Sequence, residues 1–323
     1  METLTTLNGT VSAGLFFLLG PFVSLAIARW WQMRMDLLGG VWGVVADLNI
    51  YAATWFSSNS EADRTARELV QRYGLAAHTL LYRGARGQES LDGLVKAGLL
   101  LPQEAAVLKP LPSKSQMIFS WLFDFWSHAL AENSSGLGTS PVPNAAQQAP
   151  IVLKRVLDGR GAAGGALAVV FTQIPFPYVH LLSLLVQSCC IINALCQGAH
   201  AGWTLSEPVC MGDAALPTSH SFRYEFHEGC PKAIFVFSFV ATGMVFFEWL
   251  VSLLVYPIIY HGLLSIGVML DNTLGADFID FPGSWYQHVM KAECKGFTTS
   301  IDAFREWQSS SQQQRVMPTK KAT

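Results

Sequence analysis

The stretch DNTLGADFIDFPGSW, residues 271–285, places Asp271, Asp277 and Asp280 directly after one of the most apolar runs in the chain. Carboxylates gathered at such a boundary, with Gly275 and Asn272 among them, either form the solvated exit of a helix or hold a cation. A second set, Cys210, His220, His227 and Cys230, combines soft and nitrogen donors, but its spacing fits no standard zinc finger. Cys210 and Cys230 can instead form a disulfide if their loop faces an oxidising compartment. Two further titratable groups, Glu248 and His180, lie inside apolar sequence, where an ionisable side chain is a functional candidate by default. His180 either tunes its surroundings by protonation or is a satisfied core histidine. No nucleophile–base pair and no Gly-rich phosphate loop stands out, so the chain is not expected to be an enzyme.

These groups must be positioned by an unusual chain. Its 323 residues are 51% hydrophobic and only 14% charged, against about 25% charge in an ordinary soluble domain. The net charge of −2 gives no bulk attraction for nucleic acid. The apolar residues concentrate in blocks: Ser12–Trp31; Ala162–His200, with no Asp, Glu, Lys or Arg; and Ala233–Leu270, where Glu248 is the only such residue. A helix needs roughly 20 residues to cross a bilayer, so the expectation is a multi-pass, all-α membrane protein. Its spans are expected at about 12–31, 168–200 and 233–271. Pro175, Pro177 and Pro257 are expected to break or kink the last two blocks, which lipid tolerates only inside protein or a wet cavity.

Basic residues set the orientation. Thirteen of the 21 Lys and Arg lie in 29–160 and six in 291–321. By the positive-inside rule, 32–161 and the C-terminal tail 282–323 face the cytoplasm, and 201–231 faces out. Within 32–161 the apolar spacing is helical. Leu37, Val41, Val44, Val45, Leu48 and Ala52 form one stripe, and Leu69, Val70, Tyr73, Ala76, Ala77 and Leu80 form another on a helix over 62–82. LVKAGLLLPQEAAVL (94–108) predicts a helix ending near Gly98 and a new one after Pro102. Residues 133–150 read as a polar loop.

LLGPFVSLAIARWW (18–31), ARELVQRYGLAAHTLLYR (66–83), LVKAGLLLPQE (94–104), IPFPYVHLL (174–182) and GLLSIGVMLDNTLGADFIDF (262–281) together resemble the bestrophins, pentameric chloride channels, many of them calcium-activated. The resemblance implies a single bestrophin-like domain over 1–323, a homopentamer in a lipid bilayer, and passive conduction of chloride and related monovalent anions. It leaves the host membrane open, whether plasma, thylakoid or another organelle membrane. In the family a membrane helix lines the pore neck with apolar side chains at i, i+4 and i+8. Counting back from Arg29, these positions are Ala13, Phe17 and Pro21, and only Phe17 is bulky. Phe22 joins them if Pro21 kinks the helix; alternatively Phe16, Phe17 and Phe22 all face lipid. The IPFP break offers a helix N-terminus to an anion near Pro175, Pro177, Tyr178 and His180.

For the acidic stretch the resemblance implies a calcium clasp. Its ligands would be the Asn272 carbonyl and the Asp277 and Asp280 carboxylates, with the Met269 backbone as a further donor, and Gly275 giving the tight turn. Ala276, Phe278 and Ile279 interrupt the longer acidic run of the family, so a weak site is expected. Bestrophins also carry a cytosolic segment and a membrane helix ahead of the neck helix. With Met1 only about ten residues before that helix, the expectation is a chain without them. The alternative function is a non-conducting or accessory membrane subunit.

Overall fold

Long helices follow from apolar runs that carry few β-branched clusters and almost no internal polar competition for the backbone. The computed structural model describes the chain except for residues 1, 59, 89, 132–137, 173, 207–246, 248, 271–272, 276–277, 279 and 317–323, and the side chains of 2, 201–206 and 312–316. Among the described residues there is no strand. The helices are α1 (Glu2–Gln32), α2 (Gly39–Trp55), α3 (Glu61–Ala85), α4 (Asp92–Lys96), α5 (Pro102–Leu108), α6 (Lys114–Ala129), α7 (Ala145–Phe171), α8 (Phe176–Ser206), α9 (Tyr256–Met269) and α10 (Gly283–Val316). π-Helical segments, Met33–Leu38 and Val251–Val255, run directly into α2 and α9. The chain divides into two compact units, the first made of Met1–Ser24 with Pro175–Gly267, the second of Leu25–Ile174 with Val268–Thr323.

In the first unit α1, α8, α9 and the π segment ahead of α9 turn apolar side chains in both directions. Leu15, Leu19, Phe22, Leu182, Val186 and Tyr260 are buried, while Phe17, Phe176, Leu184, Ile191, Leu254 and Ile258 are exposed. A helix that is hydrophobic all round suits lipid rather than water. Among the described residues three stretches are long and apolar enough to cross a bilayer: Thr3–Trp55, Phe176–His200 and Val251–Met269. The helices are also joined by polar side chains, whose hydrogen bonds hold membrane helices together where no hydrophobic force acts between them. Asn8 Nδ2 donates to Asn193 Oδ1 at 3.5 Å, and Ser12 Oγ lies 3.4 Å from Cys189 Sγ. Cys196 Sγ donates to the Leu4 carbonyl, and Gln197 Nε2 to Ser252 Oγ at 3.0 Å. Pro257 has no N–H, so in the π register the Ser252 carbonyl five residues earlier loses its intrahelical donor. Asn193 Nδ2 replaces that donor at 2.9 Å.

The second unit is a helical bundle with an ordinary dry interior. Val41, Val44, Leu48 and Ala52 of α2 meet Val70, Ala76, Ala77 and Leu80 of α3, with Ile118, Phe119, Leu122 and Trp126 of α6 and Val152 and Val156 of α7. Gly159 permits the α7 contact, because a Cβ there would lie 2.6 Å from Phe119 and 2.8 Å from Val44. Met290 and Cys294 of α10 close on Val45 and Leu75. Polar ties fix the helix ends. Ser60 caps α3 through the Asp63 amide. Asp63, itself fully buried, accepts from Ser58 N, Ser140 N and Ser140 Oγ at 2.9, 2.7 and 2.6 Å. Burial pushes the Asp63 carboxyl up, but these hydrogen bonds outweigh it and hold the pKa below the ordinary value. Arg72 grips Glu104 with both terminal nitrogens at 2.6 and 2.8 Å, and Glu104 accepts the Leu101 N–H at the start of α5.

Several expected boundaries shift. The first apolar helix begins at Glu2 rather than near residue 12 and is continued by the π segment and α2 to Trp55. The block 162–200 is divided: α7 ends at Phe171, and α8 starts at Phe176. Its early part is small-residue sequence packed inside the second unit, with Ala163 and Ala166 fully buried. The loop expected over 133–150 ends sooner, since α7 already begins at Ala145 and carries Pro150 within it. Gly98 does stop the helix before it, with φ at +69°, and Pro102 opens α5. The outside loop 201–231, with Cys210, His220, His227 and Cys230, lies outside the described residues apart from the backbone of 201–206, as do 233–246 and Glu248.

Candidate functional site

α1 presents distinct faces to its surroundings. Ala13, Phe17 and Pro21 fall on one exposed stripe, about a turn apart, with Phe17 77% exposed. Leu15, Leu19 and Phe22 form the buried stripe. Pro21 sits within the helix and has no N–H for the Phe17 carbonyl, yet α1 continues to Gln32. Phe22 does not turn toward the exposed stripe. It is 1% exposed, meets Tyr178 edge-on with ring centroids 6.1 Å apart, and lies so close to Gly267 that any Cβ there would collide with its ring. Phe16 is also exposed but leans on Tyr260, at 5.5 Å between centroids. The stripe therefore offers one large apolar group, Phe17, flanked by two small ones.

At the start of α8 the amides are less available than the IPFP sequence suggests. Tyr178 N and Val179 N both donate to the Pro175 carbonyl, at 2.9 and 3.3 Å, and Pro177 has no N–H. The Tyr178 hydroxyl donates to the Leu18 carbonyl at 2.8 Å. His180 is exposed and stacks on Phe176 with centroids 5.6 Å apart, so it is not a core histidine here. The positive end of the α8 dipole remains, at a terminus where Pro175, Phe176 and Pro177 are all exposed.

The acidic stretch is anchored from both sides. Leu274 and Thr273 are buried, the Thr273 carbonyl accepts the Phe281 N–H at 2.9 Å, and the Leu274 carbonyl accepts Arg86 Nε at 3.0 Å. Phe281 packs 5.1 Å from Trp30, and Gly283 lets the backbone approach the Tyr82 ring, which a Cβ would meet at 2.7 Å. Burial, helped by Tyr286 and opposed by Arg86 and Arg34, raises the Tyr82 pKa, so that phenol stays neutral. Behind this surface His78 is buried, its Nδ1–H donating to Gln287 Oε1 at 2.8 Å, while Gln287 Nε2 donates to the Leu75 carbonyl. Burial lowers the His78 pKa to about 4 against the opposing effect of that hydrogen bond.

Of the expected calcium ligands, Asn272 and Asp277 lie outside the described residues. Asp280 is half-buried and Met269 is at the exposed end of α9. The Thr273–Phe281 hydrogen bond holds the residue after Asp280 against Thr273. The Arg86 guanidinium on the Leu274 carbonyl is a fixed positive charge beside any cation held there. Among the described residues no three His, Cys, Asp or Glu side chains form a group able to hold a metal ion.

The family described as "Bestrophin, RFP-TM, chloride channel" matches residues 3–230. The chain belongs to the bestrophin family. It is an all-α, multi-pass membrane protein of a chloride-channel family. Its fold is similar to that of a bacterial bestrophin homologue from Klebsiella pneumoniae. One solved variant of that homologue has a TM-score of 0.65 at 12% identity, covering 91% of this chain and 88% of the other. The same homologue solved by Zn-SAD phasing gives 0.62 at 13%, covering 91% and 87%. A structure described only as a membrane protein variant gives 0.64 at 13%, covering 91% and 87%. The comparison with curated proteins gives no match.

The sequence pattern did not reveal the polar network inside the first unit. Its signal was present: Asn8 and Ser12 are four apart on α1, as are Asn193 and Gln197 on α8, a spacing that puts each pair on one helix face.

Proposed function

We propose that this bestrophin conducts chloride and related monovalent anions passively through the central pore of a homopentamer, with calcium as the activating ligand. The supporting observation is the exposed stripe Ala13, Phe17 and Pro21 on α1 in a chain of a chloride-channel family. Five copies around an axis would stack these residues as rings, and a ring of Phe17 side chains would gate by dewetting. The open N-terminal end of α8, with Pro175, Pro177, Tyr178 and His180, supplies positive potential without a lysine or arginine. The whole chain acts as one channel-forming module in the bilayer, with 32–161 and 282–323 on the cytoplasmic side.

Calcium, when bound, would be held by the Asn272 carbonyl, the Asp277 and Asp280 carboxylates and the Met269 backbone, and it would supply positive charge that draws these oxygens together. Arg86 competes with that charge, which makes this a low-affinity site. A second reading, a non-conducting or accessory subunit, is favoured by one observation: Ala13 and Pro21 leave only a single bulky ring in the neck.

Purified protein in liposomes, assayed for chloride flux with and without calcium, separates the two. Flux that rises with calcium supports the channel. A correctly assembled oligomer without flux at any calcium concentration rejects it. Flux whose calcium response survives in Asp277→Ala/Asp280→Ala rejects the calcium site alone.

A further inference from the structure

One residue behind the proposed neck stripe, about 100° round the helix, Asn8, Ser12 and Phe16 share another face of α1. With Asn193 of α8 and Tyr256 and Tyr260 of α9 they line a cavity of about 230 Å³ within the first unit. Its size is informative: an apolar cavity of about 150 Å³ holds benzene, whereas pockets for drug-sized ligands start at about 300 Å³. One six-membered ring with a small substituent fits.

The lining selects further. Among the described residues no formally charged side chain faces the cavity, so an ion would lose its hydration with no partner of opposite sign among them. Several polar groups of the lining are engaged: Asn193 Nδ2 serves the Ser252 carbonyl, Asn193 Oδ1 accepts from Asn8 Nδ2, and Ser12 Oγ lies 3.4 Å from Cys189 Sγ. Asn8 Oδ1 is buried with no donor among the described residues. An unmet acceptor in a low-dielectric setting favours whatever brings it an O–H or N–H. Phe16 and Tyr260 meet edge-to-face, and Tyr256 and Tyr260 lie 6.4 Å apart, so the apolar wall is aromatic and accepts another ring.

We propose that this cavity binds a small neutral molecule made of one ring and one O–H or N–H donor, the donor directed to Asn8 Oδ1. Such a site does not depend on whether the protein conducts.

The test uses the full chain in liposomes and radiolabelled phenol, competed by unlabelled phenol or by toluene, which replaces the hydroxyl with a methyl of similar size. Saturable phenol binding is expected, and the phenol-to-toluene affinity ratio should fall about tenfold in Asn8→Leu, the scale of one buried hydrogen bond. Binding no greater than to protein-free liposomes, as for a cavity filled by water or an acyl chain, overturns the proposal, as does an equal ratio in the two proteins. If Asn8→Leu does not assemble, alkylation of the cavity-lining Cys190 in the wild-type protein decides. Phenol should slow it more than toluene does, and no difference between them overturns the proposal.

Discussion

The two units use the same apolar residue types in opposite ways. In the second unit Trp126, Phe119 and Phe56 are fully buried, whereas in the first Phe17, Phe176 and Ile191 are exposed. Buried polar side chains occur in both, Asn193 and Ser252 in the first and Asp63, His78 and Ser115 in the second. In the second, most ion pairs among the described residues sit at the surface, such as Lys154 with Asp158 and Arg64 with Glu61. The difference identifies the solvent. Where water surrounds the chain, apolar burial drives folding; where lipid does, close packing and internal hydrogen bonds must hold the helices together.

That contrast fails if substitutions of comparable size cost the same in both units. The largest effect is expected for Trp126→Ala, whose fully buried indole stacks on Phe56. Denaturant unfolding of the second unit should show a loss of about 3–5 kcal/mol.

Next comes pH. His78 is buried, with its pKa lowered from 6.5 to about 4. A histidine whose folded pKa is depressed gives stability that is complete above its unfolded pKa and declines as pH falls. The loss should begin near pH 6.5 and level off near pH 4, amounting to about 3 kcal/mol at roughly 1.4 kcal/mol per pH unit. Tryptophan-monitored unfolding across that range should reveal it, and His78→Gln should flatten the curve above pH 5. Asp63 and Glu104, whose pKa values are also lowered, act at lower pH, because their stabilisation is lost only as pH falls through the carboxylate range.

In the first unit Gly267→Ala would force the Phe22 ring away from α9, with an expected cost of about 1–3 kcal/mol. It should appear as lowered thermal stability of the purified protein in detergent. The smallest change in stability belongs to Phe17→Ala. An exposed side chain without such contacts should shift stability by less than about 0.5 kcal/mol. If Phe17 lines the neck as proposed, the same substitution should instead raise basal conduction in a flux assay, because removing the ring wets the constriction. A large loss of stability would show that Phe17 packs against protein instead of lining a pore.

Much of this organisation was legible in the sequence. The stripes Val41–Ala52 and Val70–Leu80, the stop at Gly98 and the restart at Pro102 follow from local periodicity and backbone chemistry, and the structure places them accordingly. The break of 162–200 near Pro175 was legible, but the place of its first part was not, because Ala163 and Ala166 are as apolar as a membrane span and only packing against other helices reveals that they belong to a bundle. The stripe Ala13, Phe17 and Pro21 came from the family resemblance and a count back from Arg29, yet the seat of Phe22 depends on Gly267, far away in the chain. The role of Asn193 likewise depends on a missing donor at Pro257, which periodicity cannot express.

The seat of Phe22 against Gly267 acts as a key in a keyway. A ring held at that depth fixes how far α1 is rotated about its own axis, and hence the azimuth of Phe17. Rotation by even one residue position must first withdraw the ring, and a close-packed contact of this kind has discrete arrangements instead of a continuous range. Any turning of the α1 face that carries Phe17 would therefore be a step from one seat to another, not a gradual swing.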